Sequence, residues 1–229
     1  MFAITINNNY NKKIEADILA IKGEVMNKEI VNQTFMVIDF ETVTPKGVPP
    51  EPIQLGLVQI DNLEISQTKR KSWFIKPPDF APLTKFDTQQ AGITEKDLKN
   101  AKSSKEIFDI LELICGRHDY IFIAQNANYE LGICKRFYEG REKLSKIKFV
   151  DTIKLAKIAF PNEKTYKLDR LAELCNIEIP KTRHTALTDC VLTGEIFVQL
   201  VDKTGIKDTN SLLSKAGINN DNYTQMSLF

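Results

Sequence analysis

Two carboxylates stand almost side by side on an apolar stretch of the chain. In VIDFET, residues 37–42, only Phe40 separates Asp39 from Glu41. Residues two apart on a strand leave the same face, so the two carboxylates can converge on one point. Like charges that close are unfavourable unless a proton or a cation neutralises them. Divalent Mg²⁺ or Mn²⁺ prefers carboxylate oxygen, so the pair is a candidate metal site; the alternative is that the strand ends at Ile38 and both acids are solvated.

Further acids and a histidine follow where an α/β sheet brings its elements together. Glu130, in IFIAQNANYELG, comes after a predicted strand and turn, and His184 and Asp189, in RHTALTDCVL, lie around the start of a late helix. Strand ends and helix starts meet along one rim of such a sheet, so these side chains can join the first pair. Taken singly, Glu130 is typical of a helix surface, Asp189 of a helix first turn, and a lone histidine of a structural role.

Hydrophobic periodicity predicts an α/β fold, a mixed central β-sheet flanked by helices. The segments 34–42, 53–61 and 71–78 are apolar and β-branched, which predicts three strands joined by loops in an antiparallel start. From Thr94 onward helical spacing alternates with short apolar strands. Ser103 and Glu106 have the spacing of a capping box at the start of one of these helices.

Composition limits the class of protein. The chain has 229 residues, 42% of them hydrophobic, so it can bury one sizeable core. Its 31 basic and 30 acidic residues nearly balance, so the whole chain has no excess positive charge that would attract a polyanion. Any affinity for nucleic acid must therefore be local. Four cysteines without a CxxC pair predict reduced, buried thiols in a cytoplasmic protein, and no segment approaches the length that spans a bilayer.

The predicted organisation is one domain with two appendages. Residues 1–33 show a short alternating stretch and then apolar residues at three- and four-residue intervals, which predicts a strand and an amphipathic helix. Residues 34–203 contain the predicted sheet and helices. From Thr204 to residue 229 the chain is rich in Asn, Asp and Ser, which predicts a flexible tail with at most one short helix.

Three stretches, taken in order, resemble the motifs of the DEDD exonucleases. VIDFET, QNANYELG and HTALTDCVLTGEIF match D-x-E, N-A-x-F-D and H-x-A-x-x-D, the pattern of the DnaQ-like (DEDDh) branch with a histidine in the third motif. AGITEKDL, FVDTIKLAKIAFP and YKLDRLAELCNIEIP add supporting similarity, and the resemblance covers residues 34–203. Three motifs in order are far more specific than any one of them.

The resemblance implies a ribonuclease H-like fold and a two-metal 3′→5′ exonuclease that releases nucleoside 5′-monophosphates. It implies that two Mg²⁺ or Mn²⁺ ions are held by the four acids Asp39, Glu41, Glu130 and Asp189. His184 would be the general base that takes a proton from the attacking water. Candidate substrate contacts are Thr42, Asn126 and Arg183.

The second motif departs from the family pattern. Glu130 stands where the family has Asp, and Gln125 stands where a histidine often precedes the asparagine. The extra methylene can move a carboxylate by about 1 Å, and such a misplacement can cost on the order of a hundredfold in rate. We expect an active enzyme with altered speed or metal preference. The alternatives are a catalytically weakened DNA-binding module associated with a sliding clamp, and an RNA-trimming 3′→5′ exoribonuclease of the same superfamily.

Two further stretches concern partners. TKRKSWF places Lys69, Arg70 and Lys71 beside two aromatic residues, which suits a single strand held by charge and stacking, although a solvated hairpin over a half-buried strand is the simpler interpretation. QMSLF, residues 225–229, resembles the bacterial sliding-clamp-binding motif Q-x-x-L-F, unless this stretch folds back onto its own core.

These interpretations predict three partners: a single-stranded or frayed 3′ end of nucleic acid, a bacterial sliding clamp and a DNA polymerase. DNA is favoured over RNA, and no membrane is expected as a partner. In the clamp interpretation, Gln225 would form hydrogen bonds, and Leu228 and Phe229 would fill an apolar pocket. A short motif of this kind binds weakly, so it would tether the enzyme rather than lock it.

Overall fold

A computed structural model of the chain describes residues 28–181 and 184–218. Residues 1–27, Arg183 and the stretch containing Gln225, Leu228 and Phe229 lie outside these described residues, so the predictions made for them stay predictions. Within the described ranges, no helix combines the length and the apolar character needed to cross a bilayer.

The described residues form seven strands, nine α-helices and one 3₁₀-helix. The strands are β1 (Phe35–Val43), β2 (Glu51–Asp61), β3 (Glu64–Lys76), β4 (Lys102–Ser103), β5 (Ile121–Ala124), β6 (Lys148–Asp151) and β7 (Gly217–Ile218). The helices are α1 (Lys85–Ala91), α2 (Glu95–Leu98), α3 (Ser104–Cys115), α4 (Asn128–Lys135), α5 (Glu142–Ser145), α6 (Thr152–Ala159), α7 (Leu168–Leu174), α8 (Ala186–Thr204) and α9 (Thr209–Ala216). The 3₁₀-helix is Ile30–Asn32.

The strands form one mixed sheet with the order β4-β3-β2-β1-β5-β6-β7. Strands β1, β2 and β3 are antiparallel neighbours, whereas β1, β5 and β6 run parallel. The predictions of an antiparallel start and of a mixed central sheet are therefore confirmed. The capping box is also confirmed, because the Ser103 side chain accepts a hydrogen bond from the backbone N–H of Glu106.

Alternate residues of β1 face two separate cores. Phe35 and Val37 are buried on the face covered by α6, α7, α8 and α9. Met36 and Ile38 are buried on the opposite face, which α3, α4 and α5 cover. A strand buried on both faces reads as a continuous apolar run, and Asp39 is the first polar residue of that run.

The N-terminal end of α8 lies directly on strand β2, because Gly56 has no side chain. A Cβ at Gly56 would stand 2.4 Å from the carbonyl oxygen of Ala186, the first residue of α8. The side chain of Gln54 accepts a hydrogen bond from the backbone N–H of Ala186 at 2.9 Å. Gly56 is the cross-strand neighbour of Asp39, so this contact sets the start of α8 beside the acidic end of β1.

Residues outside 34–203 also pack against the folded unit. Helix α9 packs Leu212 and Ala216 into the core, and β7 pairs with β6. Ile30 is also buried, and its backbone N–H donates to the carbonyl oxygen of Lys207 at 2.9 Å. Residues 204–218 therefore contain the one short helix that the sequence allowed, and this helix and Ile30 both pack against the core of residues 34–203. The boundaries at residues 33/34 and 203/204 stay predictions. The polar residues that suggested a tail include Asp208, which caps α9.

Replacing Gly56 by alanine tests the contact between β2 and α8. The added Cβ overlaps backbone atoms that cannot rotate away, so we expect Gly56→Ala to lower the free energy of unfolding by about 1–3 kcal/mol, as overpacking does. Gly116→Ala is the matched control, because a Cβ there meets its nearest atom at an ordinary 3.6 Å. Urea unfolding measures both variants, and equal effects at the two glycines would contradict the close contact.

Candidate active site

Three of the predicted acids meet at one point. One carboxylate oxygen from each of Asp39 and Glu41 on β1 and Asp189 on α8 lies within 4.8 Å of the other two. The strand pairing shifts register between Glu41 and Thr42, an irregularity of the kind that redirects side chains near functional sites. The structure therefore brings these acids together instead of leaving Asp39 and Glu41 solvated beyond the end of a strand.

Glu130 is buried beside this group rather than exposed on a helix surface. It lies in the first turn of α4, and its Oε2 atom has no hydrogen-bond partner among the described residues. Burial raises the pKa of Glu130 well above its ordinary value, and the negative charge of Asp39 raises it further. Glu130 is not one of the three residues whose ligand atoms are mutually within 4.8 Å, so it approaches the group from the side of Asp39.

Asp151 is a further buried acid, which the motif analysis missed. It ends β6, and burial raises its pKa although its carboxylate accepts hydrogen bonds from backbone N–H groups of Ile153, Asn126 and Ala127. Those bonds fix the turn between β5 and α4, and Asp151 also raises the pKa of Glu130 through its charge. The available signal was its position, an acid directly after a buried strand and before a helix, as in an N-cap.

The turn that precedes Glu130 uses its side chains structurally. Asn126 has a φ of 61°, in the left-handed region that asparagine tolerates, and its side chain is exposed. Gln125, at the position where the family often has a histidine, donates to the carbonyl oxygen of Tyr166 at 2.7 Å and accepts from Thr152. Substrate binding by Asn126 stays a prediction.

A hydroxyl pair lies next to the acids. Thr42 Oγ1 and the Tyr129 hydroxyl are 2.6 Å apart. Burial raises the pKa of Tyr129, and the charges of Glu130, Asp39 and Glu41 raise it further, so the phenol stays protonated. Tyr129 was not among the predicted site residues; the signal was a tyrosine at the phenylalanine position of the N-A-x-F-D pattern.

His184 lies at the entry of α8. It directly precedes the N-cap Thr185, is exposed, and has a φ of 66°. A non-glycine residue in this conformation is uncommon and is found disproportionately at functional sites. The closely spaced group of potential ligand atoms consists of Asp39, Glu41 and Asp189 and does not include a ring nitrogen of His184. The structure therefore does not make His184 a metal ligand.

The donor set fits a hard divalent cation. Three clustered carboxylates and a fourth, buried and without a hydrogen-bond partner for one oxygen, repel one another unless protons or cations neutralise them. Oxygen-only ligands are those that Mg²⁺ and Mn²⁺ take in preference to softer metals.

Solved structures with the same fold are exonucleases. The nuclease domain of 3′hExo, described as a DEDDh family member bound to rAMP, superposes with a TM-score of 0.63 at 16% identity, covering 76% of this chain and 94% of that one. Exonuclease X in complex with 5′ overhanging duplex DNA gives a TM-score of 0.60 at 18% identity, over 78% and 96% of the two chains. The predicted ribonuclease H-like fold is thereby confirmed.

The family assignment follows from the sequence comparisons. Residues 36–197 match the family described as Exonuclease (RNase_T), which is most of the chain, so this protein belongs to that exonuclease family. The DNA polymerase III PolC-type of Caldanaerobacter subterraneus is 30% identical over 79% of this chain, and the 3′-5′ exonuclease DinG of Bacillus subtilis is 31% identical over 75%. This chain covers only 13% and 18% of those two relatives' lengths.

Glu130→Gln tests the buried carboxylate in the metal-free protein. Because the pKa of Glu130 is raised on folding, the folded state holds the proton more tightly, and wild-type stability falls as the pH rises above the ordinary value of 4.5. The glutamine variant lacks this loss. We expect similar melting midpoints near pH 5 and a variant that melts about 2–4 °C higher at pH 8, which corresponds to about 1 kcal/mol.

Metal supplies the second arm of the same measurement. Mn²⁺ should raise the wild-type melting midpoint more than that of Glu130→Gln, because a ligand that binds the folded state stabilises it. Glu142→Gln is the matched control, since the Glu142 side chain is 83% exposed. Parallel pH profiles of the wild type and Glu130→Gln would contradict the raised pKa.

Proposed function

We propose that this protein is a metal-dependent 3′→5′ exonuclease that hydrolyses DNA phosphodiesters from a 3′ end and releases nucleoside 5′-monophosphates. The convergence of Asp39, Glu41 and Asp189 on one rim of the sheet, with Glu130 buried beside them, carries this proposal. The relatives of this chain support the proposal. Their association with DNA polymerase III and with a 3′-5′ exonuclease favours a cytoplasmic role in replication, proofreading or repair.

In the proposed site, two Mg²⁺ or Mn²⁺ ions would be held by the acids. Asp39 would serve both ions, Glu41 and Asp189 would complete the ligands of one, and Glu130 would help to hold the other. Bound ions of this kind lower the pKa of water and stabilise charge on the attacking and leaving oxygens.

The remaining residues bind and move protons. His184 is the proposed general base, and its exposed position at the entry of α8 lets its ring meet water and substrate. Thr42 is proposed to face the terminal nucleotide with its backbone N–H, while the hydroxyl of Tyr129 holds the threonine side chain. Asn126 and Arg183 are proposed to contact the substrate.

The burial of Glu130 favours an active enzyme over a degenerate one. A carboxylate that had lost its role would be expected to turn towards solvent or take a protein partner, because an unpaired buried group is unfavourable. Instead one oxygen of Glu130 is buried without a partner next to Asp39. We therefore propose that the longer side chain is adapted to this site.

Single substitutions at two acids test the enzyme and the role of Glu130. Asp39→Ala should abolish shortening of 3′-labelled single-stranded DNA with Mg²⁺ or Mn²⁺, as should EDTA with the wild type. Glu130→Asp should lower the rate if the longer arm is adapted, by on the order of a hundredfold for a displacement of about 1 Å. A rate preserved or raised by Asp would identify the glutamate as a weakened substitute.

Matched DNA and RNA strands in the same assay determine the substrate. We expect faster shortening of DNA than of RNA. Preferential shortening of RNA would favour the exoribonuclease alternative. The absence of shortening of either strand between pH 7 and pH 9 with both metals would reject the enzyme and leave the clamp-associated module.

We also propose recruitment by a bacterial sliding clamp, with a DNA polymerase as a further partner. The support is the sequence QMSLF, in which Gln225, Leu228 and Phe229 match the polar and apolar positions of the clamp-binding pattern. The DNA polymerase III PolC-type relatives favour a polymerase as the second partner.

Alanine pairs within this stretch test the clamp proposal. Leu228→Ala/Phe229→Ala should weaken clamp binding at least tenfold in surface plasmon resonance, because the apolar anchors are removed. Met226→Ala/Ser227→Ala is the matched control at the positions that the pattern leaves open, and it should bind as the wild type does. Both pairs should hydrolyse naked oligonucleotides normally. Equal clamp binding by the two pairs would contradict the proposal.

A further inference from the structure

A cavity of about 390 Å³ opens on the sheet face that is opposite to the acids. Its rim is formed by β3 and by the loop after α3, and we call it the basic groove. The residues that define the basic groove are Lys69, Lys71, Trp73, Arg117, His118 and Tyr120.

The basic groove is separate from the candidate active site. Its floor contains Met36 and Leu57, which belong to the core under α3 and α4. Asp39 and Glu41 instead share the strand face of Val37, which packs under α8. A ligand in the groove would therefore lie across the sheet from the acids and nearer the start of β1.

Cationic side chains approach the groove from two elements. Lys69 and Lys71 are two apart on β3, so they project from the same face about 7 Å apart. Arg117 approaches from the loop after α3. The cation of Lys69 lies 3.0 Å from Asp61, but the two side chains are 56% and 36% exposed, so this pair is weak. Neither Lys71 nor Arg117 forms an ion pair with a described residue.

Aromatic rings line the same groove. Trp73 is partly buried against the core of this face. Tyr120 is buried and donates its hydroxyl to the side chain of Gln59 at 3.3 Å. The ring of His118 lies edge-on to the Tyr120 ring, with 5.3 Å between the ring centroids. Cations spaced along a strand with aromatic rings beside them are the features that bind single-stranded nucleic acid, by phosphate contact and base stacking.

The outer edge of β3 keeps the groove accessible. Strand β4 pairs only with Ile75 and Lys76, so within the described residues the stretch from Glu64 to Phe74 has no neighbouring strand on that side. Charged residues on such an edge discourage pairing with another protein strand. The same charges attract a polyanion. An acidic peptide would use the cations but has no bases to stack, so nucleic acid fits the combination better.

We propose that the basic groove binds single-stranded nucleic acid at a second site, apart from the acids. Successive phosphates contact Lys69, Lys71 and Arg117, and a base lies against Trp73. This binding requires neither hydrolysis nor the metal, so it is independent of the proposed catalytic function.

Trp73 is the only tryptophan of the chain, and its fluorescence therefore reports on this groove alone. The wild-type full chain is titrated in EDTA with a twelve-residue oligothymidylate at low salt. We expect saturable quenching whose affinity falls with salt, with a logarithmic slope of about −2 for three phosphate contacts. The variant Lys71→Glu/Arg117→Glu should lose at least tenfold in affinity.

Lys105→Glu/Lys146→Glu is the matched control. It makes the same change in net charge at exposed positions outside the groove, where the two side chains are 80% and 71% exposed, and should retain the wild-type affinity. Melting curves establish that both pairs are folded. Absent quenching, or an equal loss in both pairs, would overturn the proposal. So would thymidine 5′-monophosphate quenching at the same concentration, or an acidic peptide displacing the oligonucleotide equally well. A failed hydrolysis assay would leave this binding result unchanged.

Discussion

The acidic site depends on the close contact between helix α8 and strand β2 at Gly56. That contact places Ala186 against Gly56, which is the cross-strand neighbour of Asp39. Asp189 follows within the first turn of the helix. A side chain at Gly56 would hold the helix away from the sheet and Asp189 away from β1. Gly194, further along α8, also allows a close approach to the sheet, since a Cβ there would lie 3.3 Å from the side chain of Val37. The convergence of acids distant in sequence is thus a consequence of packing.

The clustered acids concentrate negative charge at one place, and this charge changes the pKa values of neighbouring groups. Burial and the charge of Asp39 raise the pKa of Glu130. Burial also raises the pKa values of Tyr129 and Cys190, and the negative charges of Asp39, Glu41 and Glu130 raise them further. Three groups of different chemistry therefore report one local excess of negative charge. A cation that neutralises this excess removes a repulsion already present in the folded protein, which is why a structurally unfavourable arrangement is suited to metal binding.

The sequence predicted the strands and helices better than it predicted their surroundings. Apolar periodicity was sufficient for the mixed sheet, and the D-x-E spacing was sufficient for the shared face of Asp39 and Glu41. The burial of Glu130 could not be predicted, because it depends on the turn that Asp151 holds from another strand. The packing of residues 204–218 could not be predicted for a related reason: Asn, Asp and Ser that suggest disorder also cap helices, and only the burial of Leu212 distinguishes the two.

A net charge of +1 conceals two opposite local fields in this chain. Asp39, Glu41 and Asp189 lie on one face of the sheet, and the cations of the basic groove lie on the other, so their contributions cancel in the total but not in space. Screening over about 8–10 Å at moderate salt keeps each field local. A nucleic-acid strand held in the groove by its phosphates would stay near the protein without bringing their charge into the acidic site. In that site, a bound cation would be needed to offset the repulsion between carboxylates and phosphate. Separation by the sheet would thus let one small domain retain a polyanion and also hold the carboxylates that repel it.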